Sequence, residues 1–168
     1  MKLTELTALS PVDGRYRSKV EQLSEYFSEY GLMKYRVKVE VEYFLFLSEQ
    51  KFFSLPAGIK KQVRELADQF SPNDALRIKD IESVTRHDVK AVEYFLKEKL
   101  EKVKGGEIKE WVHFGLASQD INNTAIPYLW TQALEMEYLP ALLNLNQEIK
   151  LLARRWKEIP LLARTHGQ

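Results

Sequence analysis

The feature that most constrains the fold is a long apolar repeat near the C-terminal end of the sequence. From residue 124 to 157 apolar side chains recur at three- and four-residue steps, the spacing of one face of an α-helix. Such a helix is roughly 50 Å long, whereas a compact globule of this chain length is about 40 Å across. We therefore expect the helix to protrude, with an apolar stripe that needs a partner. The stripe consists of Leu129, Ala133, Met136, Leu142, Leu145, Ile149, Leu152 and Trp156.

The rest of the chain also favours helices. Only 7 glycines and 6 prolines interrupt the 168 residues, so the connections should be short. Apolar stripes predict helices over residues 57–70 and 89–104, and Ser71 followed by Pro72 and Asp74 predicts a helix start between them. We predict an all-α fold.

Two parts of this pattern allow alternatives. Residues 37–42 alternate valines with charged residues, as a half-buried strand does, but the steps from Leu32 to Phe46 favour a helix. In the C-terminal helix, Pro127 either starts or kinks the helix, and Pro140 kinks or breaks it.

Composition excludes several classes of function. The net charge is +1, which gives no reason to expect a nucleic-acid partner, and the absence of cysteine excludes disulfides and thiolate chemistry. No apolar run is long enough to cross a membrane, and the N-terminus lacks the apolar core of a signal peptide. We expect a soluble, cytoplasmic protein. Because the chain ends on an apolar run and His-Gly-Gln, we interpret its C-terminus as a truncation.

Proton transfer at neutral pH favours histidine, so the first candidates for an acid or a base are the three histidines. They are His87, His113 and His166, and each lies near a predicted helix boundary. Their spacing is not that of a helical metal site, so no metal is expected. Ser118 precedes a predicted helix, where its hydroxyl either helps to bind an anion or simply caps the helix. Arg15 and Tyr16 follow a tight turn and either grip a phosphate or form an ordinary surface pair.

Four ordered segments carry a resemblance to a known family. They are residues 10–16 (SPVDGRY), 85–96 (TRHDVKAVEYFL), 112–123 (VHFGLASQDINN) and 160–168 (PLLARTHGQ). Together they resemble the N-terminal part of the adenylosuccinate lyases, within the fumarase/aspartase superfamily. The resemblance implies an N-terminal helical domain over residues 1–110, the start of a central helical bundle over 111–168, and a homotetramer without metal or organic cofactor.

The same resemblance implies a reaction and assigns site residues. The reaction would be the elimination of fumarate from adenylosuccinate, giving AMP, and from succinylaminoimidazole carboxamide ribotide. His166 matches the general acid, and His87 matches a second histidine that orients the substrate. The implied substrate-binding residues are Arg15 and Tyr16 at the nucleotide phosphate, Arg86, His87 and Asp88 in the pocket, Ala117 and Ser118 at the succinyl carboxylate, and Thr165 and Gln168 as lining residues.

The sequence departs from the family pattern in two places. Ala117 stands where many relatives have threonine, so one hydroxyl is lost, and we expect its backbone N–H to remain available. The serine-rich loop that supplies the family's general base is absent from these residues, so the chain alone should be nearly inactive. Two alternatives are a non-catalytic helical interaction domain, favoured by the apolar stripe, and another fumarate-releasing member of the superfamily.

Overall fold

A computed structural model describes residues 2–103 and 106–162. These residues form helices and connections and contain no strand, which confirms the all-α prediction. Three-residue 3₁₀ turns occupy Pro11–Asp13 and Glu21–Leu23, and a longer one occupies Gly106–Trp111. The α-helices are α1 (Arg17–Val20), α2 (Ser24–Phe27), α3 (Glu29–Glu49), α4 (Ala57–Asp68), α5 (Pro72–Thr85), α6 (Asp88–Lys102), α7 (Ser118–Ala133) and α8 (Leu139–Trp156).

The central element is α3, which confirms that residues 37–42 are helical and not a strand. The helix expected from about residue 24 to residue 50 is divided, because Ser28 is extended and separates α2 from α3. Twelve of its 21 residues are buried, and they lie on several sides of the helix, so neither a clean helical stripe nor a true alternation dominates its sequence. Val37 and Phe44 belong to the main core with α4, α5 and α6, whereas Tyr35 belongs to a second cluster with Ala125 and Leu129 of α7. The ring of Tyr128 meets that of Tyr35 edge-on, with 5.3 Å between their centroids.

The start of α5 forms as predicted. Ser71 is the N-cap, its hydroxyl accepts the Asp74 N–H, and the Asp74 carboxylate accepts the Ser71 N–H at 3.0 Å. Lys99 of α6 donates to the other Asp74 oxygen at 2.6 Å, so the same carboxylate ties α5 to α6.

The C-terminal helix is longer than predicted. It begins at Ser118 rather than near residue 124, and Pro127 lies inside α7. A π-helical turn, Leu134–Tyr138, joins α7 to α8, and the Leu139 N–H donates to the carbonyl five residues earlier. Pro140 follows this turn and cannot donate a backbone bond, so the helix continues past it with one widened turn instead of breaking.

No residue of α8 is buried. Leu142, Leu145 and Ile149 are about half exposed, at 45%, 56% and 55%. The described residues therefore leave the predicted apolar stripe uncovered along α8. None of the described helices is long and apolar enough to span a membrane. The division near residue 110 stays a prediction.

Gly31 provides a test of the packing around α3. A Cβ at this position would lie 2.3 Å from the Tyr26 carbonyl oxygen and 2.9 Å from that of Glu25, both backbone atoms of α2. We expect Gly31→Ala to lower the free energy of unfolding by about 1–3 kcal/mol, measured by urea unfolding, because the two helices must separate. Gly58→Ala in α4 is the matched control.

The control substitution should have the opposite sign. A Cβ at Gly58 would meet no atom within 4 Å. Alanine there should leave stability unchanged or raise it by up to about 1 kcal/mol, because it favours the helix. Equal destabilisation by both substitutions would contradict the close approach of α2 and α3.

Candidate active site at two helix N-termini

The first half of the site is the junction between α5 and α6. Arg86 ends α5 in the left-handed conformation, with φ 55°, and its N–H donates to the Glu82 carbonyl at 2.8 Å. His87 is extended and α6 starts at Asp88. A left-handed non-glycine residue is uncommon, and such strain often accompanies functional sites. The turn places the His87 side chain, which is half exposed, at the N-terminus of α6.

The backbone of α6 selects one tautomer of the neutral His87 ring. Its Nδ1 accepts the Lys90 N–H at 3.1 Å, so His87 acts as the N-cap. A neutral imidazole that accepts at one nitrogen carries its proton on the other. Nε2 is therefore the donor nitrogen, and it lies 3.4 Å from the Ser118 hydroxyl oxygen.

The second half of the site is the start of α7. The N-cap is Ala117, not Ser118, so the interpretation of Ser118 as an ordinary serine cap was wrong. Asp120 explains the difference: its carboxylate accepts the Ala117 N–H at 2.7 Å and stabilises the helix start in place of a serine hydroxyl. The Ser118 hydroxyl thus faces His87 instead of the helix backbone.

This bond also corrects the expectation for Ala117. Its N–H was expected to remain available to substrate, but it is already donated to Asp120. The first turn of a helix still presents amide groups without intrahelical partners. Together with the Ser118 hydroxyl and His87 Nε2–H, such groups are suited to binding a carboxylate.

Sequence reasoning missed Arg36, which lies beneath both halves of the site. Its side chain is 9% exposed, and Nη2 lies 2.7 Å from Asp88 Oδ2. Its Nε donates to Asn122 Oδ1 of α7 at 2.9 Å. Burial acts to raise the pKa of Asp88, but the Val89 N–H and the Arg36 guanidinium outweigh it and hold that pKa below its usual value. The available signal was the position of Arg36 among the otherwise uncharged helical steps that run from Leu32 to Phe46.

Glu40 was also missed, one turn further along α3. It is fully buried, and Oε1 lies 2.5 Å from Nδ1 of His113, a residue with φ 61°. Among the described residues, no group bonds to the other oxygen, Oε2. Burial raises the pKa of Glu40, and the hydrogen bond and charge of His113 offset this only in part. His113 thus supports the loop before α7 rather than lining the surface with His87.

The remaining predicted residues are not joined to this pair. Arg15 and Tyr16 are exposed, and the guanidinium carbon lies 5.7 Å from the centre of the Tyr16 ring. No hydrogen bond or ion pair among the described residues connects either of them to His87 or Ser118. The Arg86 side chain is exposed beside His87. His166, Thr165 and Gln168 lie outside the described residues.

A family comparison decides what kind of protein carries this arrangement. Residues 14–168 match the model of a family described as Lyase. The chain belongs to this lyase family. The described residues contain no cluster of three or more histidine, cysteine or acidic side chains that could hold a metal ion.

Relatives within the family have adenylosuccinate lyase as their name. The chain is 48% identical to that of Dictyostelium discoideum over 176 residues, 46% to that of Haemophilus influenzae over 173, and 45% to that of Escherichia coli K12 over 179. Each alignment covers the whole chain and 38% of the relative. The resemblance seen in the four motifs is confirmed, and the chain spans less than half the length of these lyases.

The buried Glu40 gives a prediction of pH dependence. A carboxyl with a raised pKa in the folded state stabilises the fold below its unfolded value of 4.5, and this contribution is lost as the pH rises. Glu40→Gln cannot ionise. We compare the free energy of unfolding of the unaltered chain with that of Glu40→Gln, both measured by urea unfolding. The value for the unaltered chain minus that for the variant should fall as the pH rises from about 4 to 8.

Glu98 is the matched control because its pKa is shifted the other way. The hydrogen bond and charge of Arg77 lower the pKa of Glu98. The stability of the unaltered chain relative to Glu98→Gln should therefore rise with pH through the acidic range. The same sign of pH dependence for both variants would contradict the burial of an ionisable Glu40.

Proposed function

We propose that the complete polypeptide containing these 168 residues is an adenylosuccinate lyase of purine nucleotide biosynthesis. It would release fumarate from adenylosuccinate, giving AMP, and from succinylaminoimidazole carboxamide ribotide, giving AICAR. The observation that carries the proposal is the approach of His87 Nε2 to the Ser118 hydroxyl at the start of α7. Family membership and the names of the relatives support it.

The chemistry accounts for the residue types. A base removes a proton from the carbon beside a succinyl carboxylate, and the C–H electrons form the new double bond. The C–N bond breaks, its electrons pass to nitrogen, and the nitrogen takes a proton from an acid. Fixed donors stabilise the extra charge that develops on the carboxylate. A hydroxyl and an imidazole N–H at a helix N-terminus are such donors.

We assign these roles to individual residues. Ser118 binds the succinyl carboxylate, and Ala117 lies beside it at the same helix start. His87 orients the substrate. Arg86 and Asp88 flank His87 in the chain and line the same pocket. His166 is the general acid, Thr165 and Gln168 line the pocket, and Arg15 and Tyr16 hold the nucleotide phosphate. The general base would come from sequence beyond these residues, so the chain alone should release almost no fumarate.

The exposed stripe of α8 supports association between subunits. An apolar surface of this extent on a soluble helix marks an interaction site. We propose that four copies pack their long helices together, as the family resemblance implies, in a cytoplasmic enzyme without a nucleic-acid or membrane partner. The same stripe would suit a non-catalytic interaction domain, but such a domain would not need the pairing of His87 with Ser118.

A serine substitution tests the proposal. The complete polypeptide should convert adenylosuccinate to AMP and fumarate, followed by the absorbance of the purine. Ser118→Ala should lower kcat/KM by about 10- to 100-fold, because a hydrogen bond to a charged carboxylate is lost. Ser83→Ala is the control, since that hydroxyl donates to the Asp80 carbonyl on the outer surface of α5. Absence of fumarate release by the unaltered protein would refute the proposed activity.

Arg15 distinguishes the lyase from an interaction domain. Arg15→Ala should weaken AMP binding by about 10- to 100-fold in a calorimetric titration, because a charged contact to phosphate is lost, and it should raise KM more than it lowers kcat. Lys19→Ala is the control, because Lys19 is an exposed cation on α1. If both substitutions weaken binding equally, or if AMP does not bind, the phosphate role of Arg15 is wrong.

A further inference from the structure

One face of α3 carries three polar side chains that bond to the first turns of α7 or to the segment leading into it. Arg36, Glu40 and Tyr43 follow each other at steps of four and three residues, so they share this face. The Tyr43 hydroxyl donates to the Phe114 carbonyl at 2.9 Å, Glu40 bonds His113, and Arg36 donates to Asn122. Arg36 and Glu40 are buried, where charged groups are costly unless they are paired.

Arg36 differs from the other two because it bonds to both halves of the site. Its Nη2 lies 2.7 Å from Asp88, the first residue of α6 and the neighbour of His87. Its Nε lies 2.9 Å from Asn122, one helical turn after Ser118. A single planar guanidinium therefore joins the two helix N-termini that carry the proposed site residues.

The direct contact between the two halves is weak by comparison. The separation of 3.4 Å between His87 Nε2 and Ser118 Oγ is longer than an ordinary hydrogen bond. Both bonds of Arg36 are shorter, and both involve a charged donor, which makes them stronger and more directional. Because α6 and α7 each pack on α3, the position of His87 relative to Ser118 is set through α3.

We propose that Arg36 is a positioning residue for the elimination reaction. It does not touch the substrate. By bonding Asp88 and Asn122 at the same time, it fixes the position of His87 relative to Ser118. This inference rests on the proposed function. A displacement of about 1 Å in a site of this kind can lower the rate about 100-fold.

Three variants of the complete polypeptide test the role. Arg36→Gln should lower kcat for adenylosuccinate about 100-fold, expressed per folded protein. Arg36→Lys should recover only part of this loss, because a compact ammonium cannot bond both partners with the geometry of a guanidinium. Asn122→Ala removes one of the two bonds and should lower kcat about tenfold.

An exposed arginine, Arg64, is the matched control for the buried Arg36. Arg64 is paired with Glu42 at 3.4 Å on the surface, with a side chain 54% exposed. Arg64→Gln changes the same chemical group and should leave kcat unchanged. The Arg36→Gln, Asn122→Ala double variant should be no slower than Arg36→Gln alone, since both substitutions break the same connection.

The outcomes separate the two proposals. If Arg36→Gln lowers only the melting temperature and kcat per folded protein is unchanged, Arg36 is structural and the inference is overturned while the lyase activity stands. Additive losses in the double variant overturn it as well. If Arg36→Gln does not fold, Asn122→Ala decides, and an unchanged kcat there overturns the inference. If the unaltered protein releases no fumarate, the proposed function fails and the inference fails with it.

Discussion

The burial of α3 on several sides is the constraint on which the rest of the structure depends. This helix of 21 residues contacts the main core through residues such as Val37 and Phe44, and α7 through Tyr35. The junction of α5 with α6 and the start of α7 are both held against it. His87 and Ser118, 31 residues apart in the chain, come together because each lies at the end of a helix that packs on α3.

Charged groups inside this packing make the arrangement specific. Apolar contacts between helices have little directional preference, whereas the bonds of Arg36 to Asp88 and Asn122 require a defined geometry. Glu40 does the same for the loop at His113. Both pairings have a cost in desolvation. The bonds of Arg36 join the starts of α6 and α7, and the bond of Glu40 holds the loop before α7, so each charged group fixes a connection between α3 and a neighbouring segment.

Local features of the fold were predictable from the sequence. The capping box of Ser71 and Asp74 involves residues three positions apart, and α5 starts there as expected. The start of α7 shows the limit of the same reasoning, since the pattern that suggested a Ser118 cap fits an Ala117 cap bonded by Asp120 equally well. A shift of one residue reassigned the Ser118 hydroxyl from the helix backbone to the neighbourhood of His87.

The sequence by itself determined the helical architecture and the apolar stripe of the long helix, because periodicity and capping depend on neighbours within about one turn. It also contained the polar motifs that mark the family. Only the tertiary structure decided which polar groups meet. Arg36 pairs with Asn122 across 86 residues, and Glu40 pairs with His113 across 73. Such pairings depend on how whole helices pack, and no local pattern records the position of one helix relative to another.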